Sequence, residues 1–163
     1  APRIFAACAD PAREVAHAAE DCLSAVFRHL ELPQCLALLR PLLPTEATRA
    51  DGTAEEGGAQ QAVVRTCGVV VRRMQPRQLQ ACVDEVLPGL FESFRSPSAD
   101  VRKAVVFCLV DCYGILGDQL MPLLAPLSTS QLKLVTIYIQ RMQQKREALR
   151  ENPPSKQPPP AVL

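Results

Sequence analysis

The run Ser96-Pro-Ser-Ala-Asp-Val-Arg-Lys-Ala-Val-Val-Phe-Cys-Leu-Val110 decides the fold. Its apolar residues Val101, Val105, Cys108 and Leu109, continued by Leu116, recur at spacings of three and four, the period of a helix with one buried stripe. The pattern also stands 86 residues earlier, where Val15 falls on Val101, Ala19 on Val105, Cys22 on Cys108, Leu23 on Leu109, Phe27 on Tyr113 and Leu30 on Leu116. Asp10-Pro11 answers Ser96-Pro97, each reading as an N-cap followed by proline at the first helical position. A third copy, Val63, Cys67, Val70, Val71 and Met74, lies 48 residues after the first and 38 before the last. The two spacings average 43 residues, inside the ~40–47-residue period of HEAT-type helical hairpins.

Each copy is followed by a turn and a second apolar helix. Leu32-Pro33 leads into residues 35–43. Gln75-Pro76 leads into the three-four series Leu79, Cys82, Val83, Val86, Leu87, Leu90, Phe91 and Phe94. Pro88 inside that series is expected to kink or split the helix, because its ring displaces a backbone bond. Gly117-Asp118 leads into residues 120–124, completing three antiparallel hairpins. A last helix follows Pro126, with Ser128 and Gln131 at capping-box spacing. Leu132, Val135, Ile139 and Met142 form its inner stripe, with Leu134 and Tyr138 beside it; from Gln143 it is polar. Its first half is expected to cap the open end of the stack. The predicted fold is all-α, a HEAT-repeat solenoid of about three hairpins plus a C-terminal capping helix. The expected domain spans residues 1–151, with 45–58 a Thr/Ala/Glu/Gly-rich surface loop. Residues 152–163, with five of the fifteen prolines and no PxxP spacing, are expected to form a disordered tail.

Composition agrees. The 163 residues are 48% hydrophobic but 4% aromatic, with no Trp, so the core must be Leu, Val, Ala and Cys. Seven cysteines, an odd number mostly at apolar helix positions, point to buried thiols in a reducing compartment. The longest apolar runs are broken by charge or proline within about ten residues, so neither a transmembrane helix nor membrane insertion is expected. Residues 1–10 hold no secretory signal, and the start at Ala1 points to a fragment of a longer protein. The net charge of +1 is a cancellation. Residues 1–60 carry five basic and nine acidic groups, and residues 61–163 thirteen and eight. The basic groups gather at Arg72, Arg73 and Arg77 around the second hairpin turn, and at Lys133, Arg141, Lys145, Arg146 and Arg150 along the last helix.

Chemistry-bearing constellations are few. Cys108 and Cys112 share a helix face but lack further ligands close in sequence, and they sit in the apolar register. His17 and His29 are about three turns apart with no third ligand. No GxSxG, Walker or GxGxxG motif occurs, and the serines fall at caps, loops or the tail. Asp84-Glu85 and Glu55-Glu56 read as exposed pairs. No catalytic, cofactor or metal site is therefore expected. The basic groups are too few, and too little interleaved with aromatics, for nucleic acid.

The run 96–110, with Gly117-Asp-Gln-Leu, Pro122, Leu127, Lys133-Leu134 and Tyr138-Ile139-Gln140-Arg141, resembles the last repeat of the C-terminal domain of the CLASP (CLIP-associating) family of microtubule regulators. Upstream, Glu85-Val-Leu-Pro-Gly-Leu90, Pro33-Gln34-Cys35, and Asp10-Pro11 with Glu14-Val15 match the same domain. The resemblance runs from about residue 10 to 142 and implies a TOG-like HEAT domain missing its first hairpins. In that family the domain is a docking platform. Its partners include CLIP-type plus-end proteins, a kinetochore kinesin and a Golgi coiled-coil adaptor, and it places the microtubule-stabilising activity of the whole chain. The implied localisation is cytoplasmic: microtubule cytoskeleton, spindle, kinetochore and Golgi. Tubulin-binding TOG domains use an exposed Trp in their first intra-repeat turn, so the resemblance favours recruitment over direct tubulin binding. Direct tubulin binding and a structural or self-association role are the alternatives. The expected contact residues are Arg72, Arg73, Arg77, Lys133 and Arg141.

Overall fold

The computed structural model describes residues 2–45 and 54–151. Among them lie α1 (Pro2–Ala7), α2 (Arg13–His29), α3 (Leu32–Leu39), α4 (Ala54–Val71), α5 (Pro76–Ser93), α6 (Ala99–Leu116) and α7 (Thr129–Glu151). A 3₁₀ turn, Arg40–Leu42, extends α3, and a longer 3₁₀ segment, Gly117–Leu124, follows α6. There is no strand among the described residues. The expected tail, 152–163, lies outside them, as does 46–53 of the expected loop.

The first helix of each hairpin stacks on the next in one layer, in the order α2, α4, α6 and then α7. All four run the same way. Glu20 pairs with Arg65 and the Phe27 carbonyl meets Arg73, so α2 and α4 advance together. Gly57 lies beside Ser98 and Gly68 beside Cys108 and Asp111, which aligns α4 with α6. Phe107 packs on Tyr138 and Gly114 on Met142, which aligns α6 with α7. The second layer holds α3, α5 and the segment Gly117–Leu124. The end of α5 returns to the start of α4, where Gln60 Nε2 donates to Ser93 Oγ at 3.3 Å. One continuous apolar core runs from Phe5 to Ile139.

Local chemistry sets the boundaries. Glu31 and Gln75 each close a reciprocal capping box with the Gln three residues on, at Gln34 and Gln78, ahead of α3 and α5. The expected Ser128–Gln131 box is formed, with Ser128 Oγ accepting from Gln131 N–H at 3.3 Å. Asp10 and Ser96 are not the helix caps. Each instead accepts from the N–H two residues on, Ala12 at 2.8 Å and Ser98 at 3.3 Å, and so turns the chain just before its helix. Ser98 is the cap of α6, accepting from Val101 N–H at 3.4 Å. Gly117 ends α6 at φ 59°, a conformation that costs a Cβ-bearing residue.

Several expectations are corrected. α5 runs unbroken through Pro88, with Leu87, Gly89 and Leu90 buried on both sides of it. Its packing holds the helix although the proline removes one backbone bond. The second half of the third hairpin is 3₁₀ rather than α-helix, with Leu120 and Leu124 buried. Residues 54–58 are the first turn of α4, not loop. α6 is buried nearly all round, through Val101, Ala104, Val105, Val106, Cys108, Leu109, Val110, Cys112 and Leu116, because α4, α5 and α7 surround it. Ala99–Leu124 is by length and composition long and apolar enough to cross a membrane, and half of it is buried inside the protein. α7 packs on α6 at the open end of the stack. It takes the next place in the first layer, burying Val135 and Ile139 against its neighbours.

Candidate functional site

The cysteines are core atoms. Burial, reinforced by nearby Cys112, pushes the Cys67 thiol up to about 12. A hydrogen bond with Cys112 and burial together raise Cys108 well above the ordinary thiol value. Both stay protonated at neutral pH, and a thiol is a poor nucleophile beside a thiolate. Cys22 departs from this pattern and is exposed. His17 and His29 are also exposed and sit on the solvent face of α2. Among the described residues no group of three His, Cys, Asp or Glu side chains could hold a metal.

The expected contact residues do not form one cluster. Arg72 is exposed and reaches across to α6, where its Nη1 lies 2.5 Å from Asp111 Oδ2. Burial pushes the Asp111 carboxyl above its usual range, while Arg72 pulls it back. Arg73 turns the other way and is half-buried. Its guanidinium donates to the Phe27 carbonyl and, at 2.8 Å, to the Leu30 carbonyl, with Cys35 Sγ at 3.7 Å. These are carbonyls that the end of α2 leaves without helical partners, so Arg73 ties the first hairpin to the second. Arg77, in the first turn of α5, is exposed. Lys133 is exposed near the start of α7, and Arg141 lies two turns later, 5.5 Å over the Tyr138 ring. α6 stands between Arg72 and α7, which separates the two groups by two helix spacings, roughly 18 Å.

The parallel first layer nevertheless gives the molecule a basic edge. The hairpin turns all fall at the C-terminal ends of α2, α4 and α6. Arg28 in the last turn of α2, then Arg72 and Arg77, are exposed along that edge. On α7, Arg146 lies level with Gly114, near the end of α6, and Arg150 stands about one turn beyond it; both are exposed. Lys133 is at the other end of α7, away from this edge. Arg28 is isolated in sequence, and only the stacking places it with the others.

A second feature adjoins α7. Phe107 is 46% exposed, and its ring meets Tyr138 edge-to-face at 5.5 Å and 89°. Leu134 and Ile137 are also exposed on α7. With Arg141 over Tyr138 they make an aromatic and aliphatic ledge across the outer faces of α6 and α7. Phe107 falls outside the stripe of 101, 105, 108 and 109, and that is the sequence signal by which it could have been found.

Comparison with known proteins bears on this arrangement. Residues 86–116 match the HEAT repeat model. The chain is 38% identical over 137 residues to "CLIP-associated protein" of Arabidopsis thaliana, covering 84% of the chain and 9% of that protein. It is 33% identical over 134 residues to "CLIP-associating protein 1-A" of Xenopus laevis, covering 82% and 9%. To "Protein CLASP-2" of Caenorhabditis elegans it is 33% identical over 124 residues, covering 76% and 12%. The chain thus spans about a tenth of the length of these relatives.

Proposed function

Because the chain is CLASP-family sequence over about four-fifths of its length, we propose that it is a non-catalytic docking module of a CLASP-like microtubule-associated protein. In this reading it recruits that protein to a partner on microtubule plus ends, at the kinetochore or at the Golgi. The partners fitting it are a CLIP-type plus-end protein, a kinetochore kinesin or a coiled-coil adaptor. The observation that carries the reading is the basic edge of Arg28, Arg72, Arg77, Arg146 and Arg150 along one side of a rigid helical stack. Such an edge suits an acidic or helical partner by charge complementarity. The Leu134–Tyr138–Phe107 ledge, flanked by Lys133 and Arg141, supplies apolar area beside it, as protein interfaces require.

The test is charge reversal at Arg28, Arg77 and Arg150, with Arg73 left intact because it holds two hairpins together. Affinity for an acidic CLIP-type partner, measured by titration calorimetry, should fall at least about tenfold, a change of about 1.4 kcal/mol. Unchanged affinity sinks the edge. Direct tubulin binding is the alternative, and migration of the fragment with free tubulin on a sizing column would favour it.

A further inference from the structure

Two apolar surfaces adjoin Phe107 on the outer side of the first layer. One is a groove of about 310 Å³ between α4 and α6, floored by Val64, Gly68, Ala104 and Cys108. The Arg72–Asp111 pair closes one end of it, over Gly68. The other surface is the ledge of Leu134, Ile137 and Tyr138 on α7. Phe107 stands between them and belongs to both: it lines the groove and packs edge-to-face on Tyr138. Both surfaces are sides of helices, whose backbone N–H and C=O groups are spent inside the helices. An extended segment would find no backbone partners here. A helix needs none, because it is read through side chains three and four residues apart.

The charges around Phe107 select what can lie there. Arg65 is held by Glu20 and Arg72 by Asp111. Lys103 stands one turn before Phe107 on the same face of α6, and Arg141 and Lys145 follow Tyr138 on one face of α7. All three are exposed, and none is in an ion pair among the described residues. Of the carboxylates lining the groove, Asp100 in the first turn of α6 is the one outside these pairs among the described residues. α7 carries five basic residues and two acidic ones, so a second copy laid α7 on α7 would set like charge against like. Residues 152–163 hold one lysine and no acid, so the chain's own tail brings no complementary charge.

We propose that Phe107 and the surfaces on either side of it bind an amphipathic α-helix of a partner protein, apolar along one ridge and bordered by Asp or Glu. Phe107 is the anchor. The partner's ridge seats side chains over the groove on one side of the ring and over the ledge on the other. Its acids meet Lys103 on α6 and Arg141 and Lys145 on α7, placing charged contacts around an apolar centre. The inference rests on the docking reading and names the chemistry of a partner, but it makes no use of the basic edge.

The probe is a designed helical peptide with leucines at three-four spacing and glutamates beside them, titrated into the labelled protein and followed by two-dimensional NMR. Saturable shifts should appear at Lys103, Phe107, Leu134, Tyr138 and Arg141. The same peptide with lysines for its glutamates should bind at least about fivefold more weakly. Phe107→Ala, at a half-exposed position whose loss leaves the core intact, should weaken the glutamate peptide at least about tenfold. Lys103→Glu combined with Arg141→Glu should turn the preference toward the lysine peptide. The protein with charge reversed at Arg28, Arg77 and Arg150 should bind the glutamate peptide as the native chain does, so this site and the basic edge are tested separately. Absence of saturable shifts at these residues overturns the proposal, as does equal binding of the two peptides or binding that survives Phe107→Ala. Concentration-dependent shifts at Phe107 in the free protein would place a second copy on this face instead. Shifts there on deletion of residues 152–163 would place the tail on it, and either result overturns the proposal.

Discussion

α2 and α6 occupy the same place in the repeat, 86 residues apart, yet they are buried very differently. α2 buries Ala19, Leu23 and Phe27, a single stripe. α6 buries nine residues spread around its axis. Val15 is 45% exposed where its counterpart Val101 is sealed, and Cys22 is exposed where Cys108 is buried. The stripe common to both, Ala19 with Val105 and Leu23 with Leu109, is buried in each. The rest of the difference comes from neighbours within the first layer: α6 lies between α4 and α7, whereas α2 has α4 on one side and the short α1 nearby. Repeat register therefore determines what faces inward, and position in the stack determines how much else is buried.

That contrast can be broken by one substitution made twice. Cys108→Asp puts a carboxylate at a sealed site with no partner, and should leave no cooperative unfolding transition in circular dichroism. Cys22→Asp, at the matching position, should shift stability by less than about 0.5 kcal/mol. Equal effects would mean that the two helices are packed alike.

The thiols sharpen the same point. A thiol-specific disulfide reagent at pH 8 should modify Cys22 rapidly, and Cys67 and Cys108 only as fast as the protein opens. Cys67 holds its proton to about 12 against an ordinary 9.0, so the native state retains a proton that the unfolded chain releases. Its contribution to stability is complete below pH 9 and declines as pH rises from there toward 12. Denaturant midpoints measured across that range check the direction.

The smaller effects concern how the hairpins are joined. Arg73→Met removes the charged donor to the Phe27 and Leu30 carbonyls, leaving them only the weaker Cys35 thiol, and should cost about 1.5–3 kcal/mol. Hydrogen exchange should quicken at the α2–α3 turn more than in α6. Arg72→Met breaks a pair whose arginine is 56% exposed, and should cost no more than about 1 kcal/mol in urea unfolding. If Arg72 proves the costlier of the two, the assignment of Arg73 as the tie between hairpins is wrong.

Much of this fold is legible from apolar spacing. Val63, Cys67, Val70, Val71 and Met74 are all buried, as are Leu79, Cys82, Val83, Val86, Leu87, Leu90 and Phe94 of α5. The start of α4 is not legible, for a definite reason. Gly57 and Gly58 read as chain breakers, but Gly58 lies where the end of α1 comes close. A Cβ there would stand 2.6 Å from that of Ala9, so the glycine serves the packing rather than a turn. Residues needed for close approach look, in sequence, like residues needed for flexibility. The role of Arg73 was hidden likewise. In sequence it belongs to a cationic cluster, and only the neighbouring helix end shows that its guanidinium is engaged with the Phe27 and Leu30 carbonyls.

The sequence by itself determined the helical class, the repeat period and the inward stripe of each helix, because these follow from a 3.6-residue turn and the exclusion of apolar groups from water. Only the tertiary structure decided that α7 joins the first layer and that Arg28 shares an edge with Arg72 and Arg150. It also placed the exposed Phe107 beside Tyr138 and left one oxygen of Glu92 buried without a donor. Those facts depend on which elements become neighbours. Neighbours are chosen by packing between segments far apart in the chain, where local periodicity carries no information.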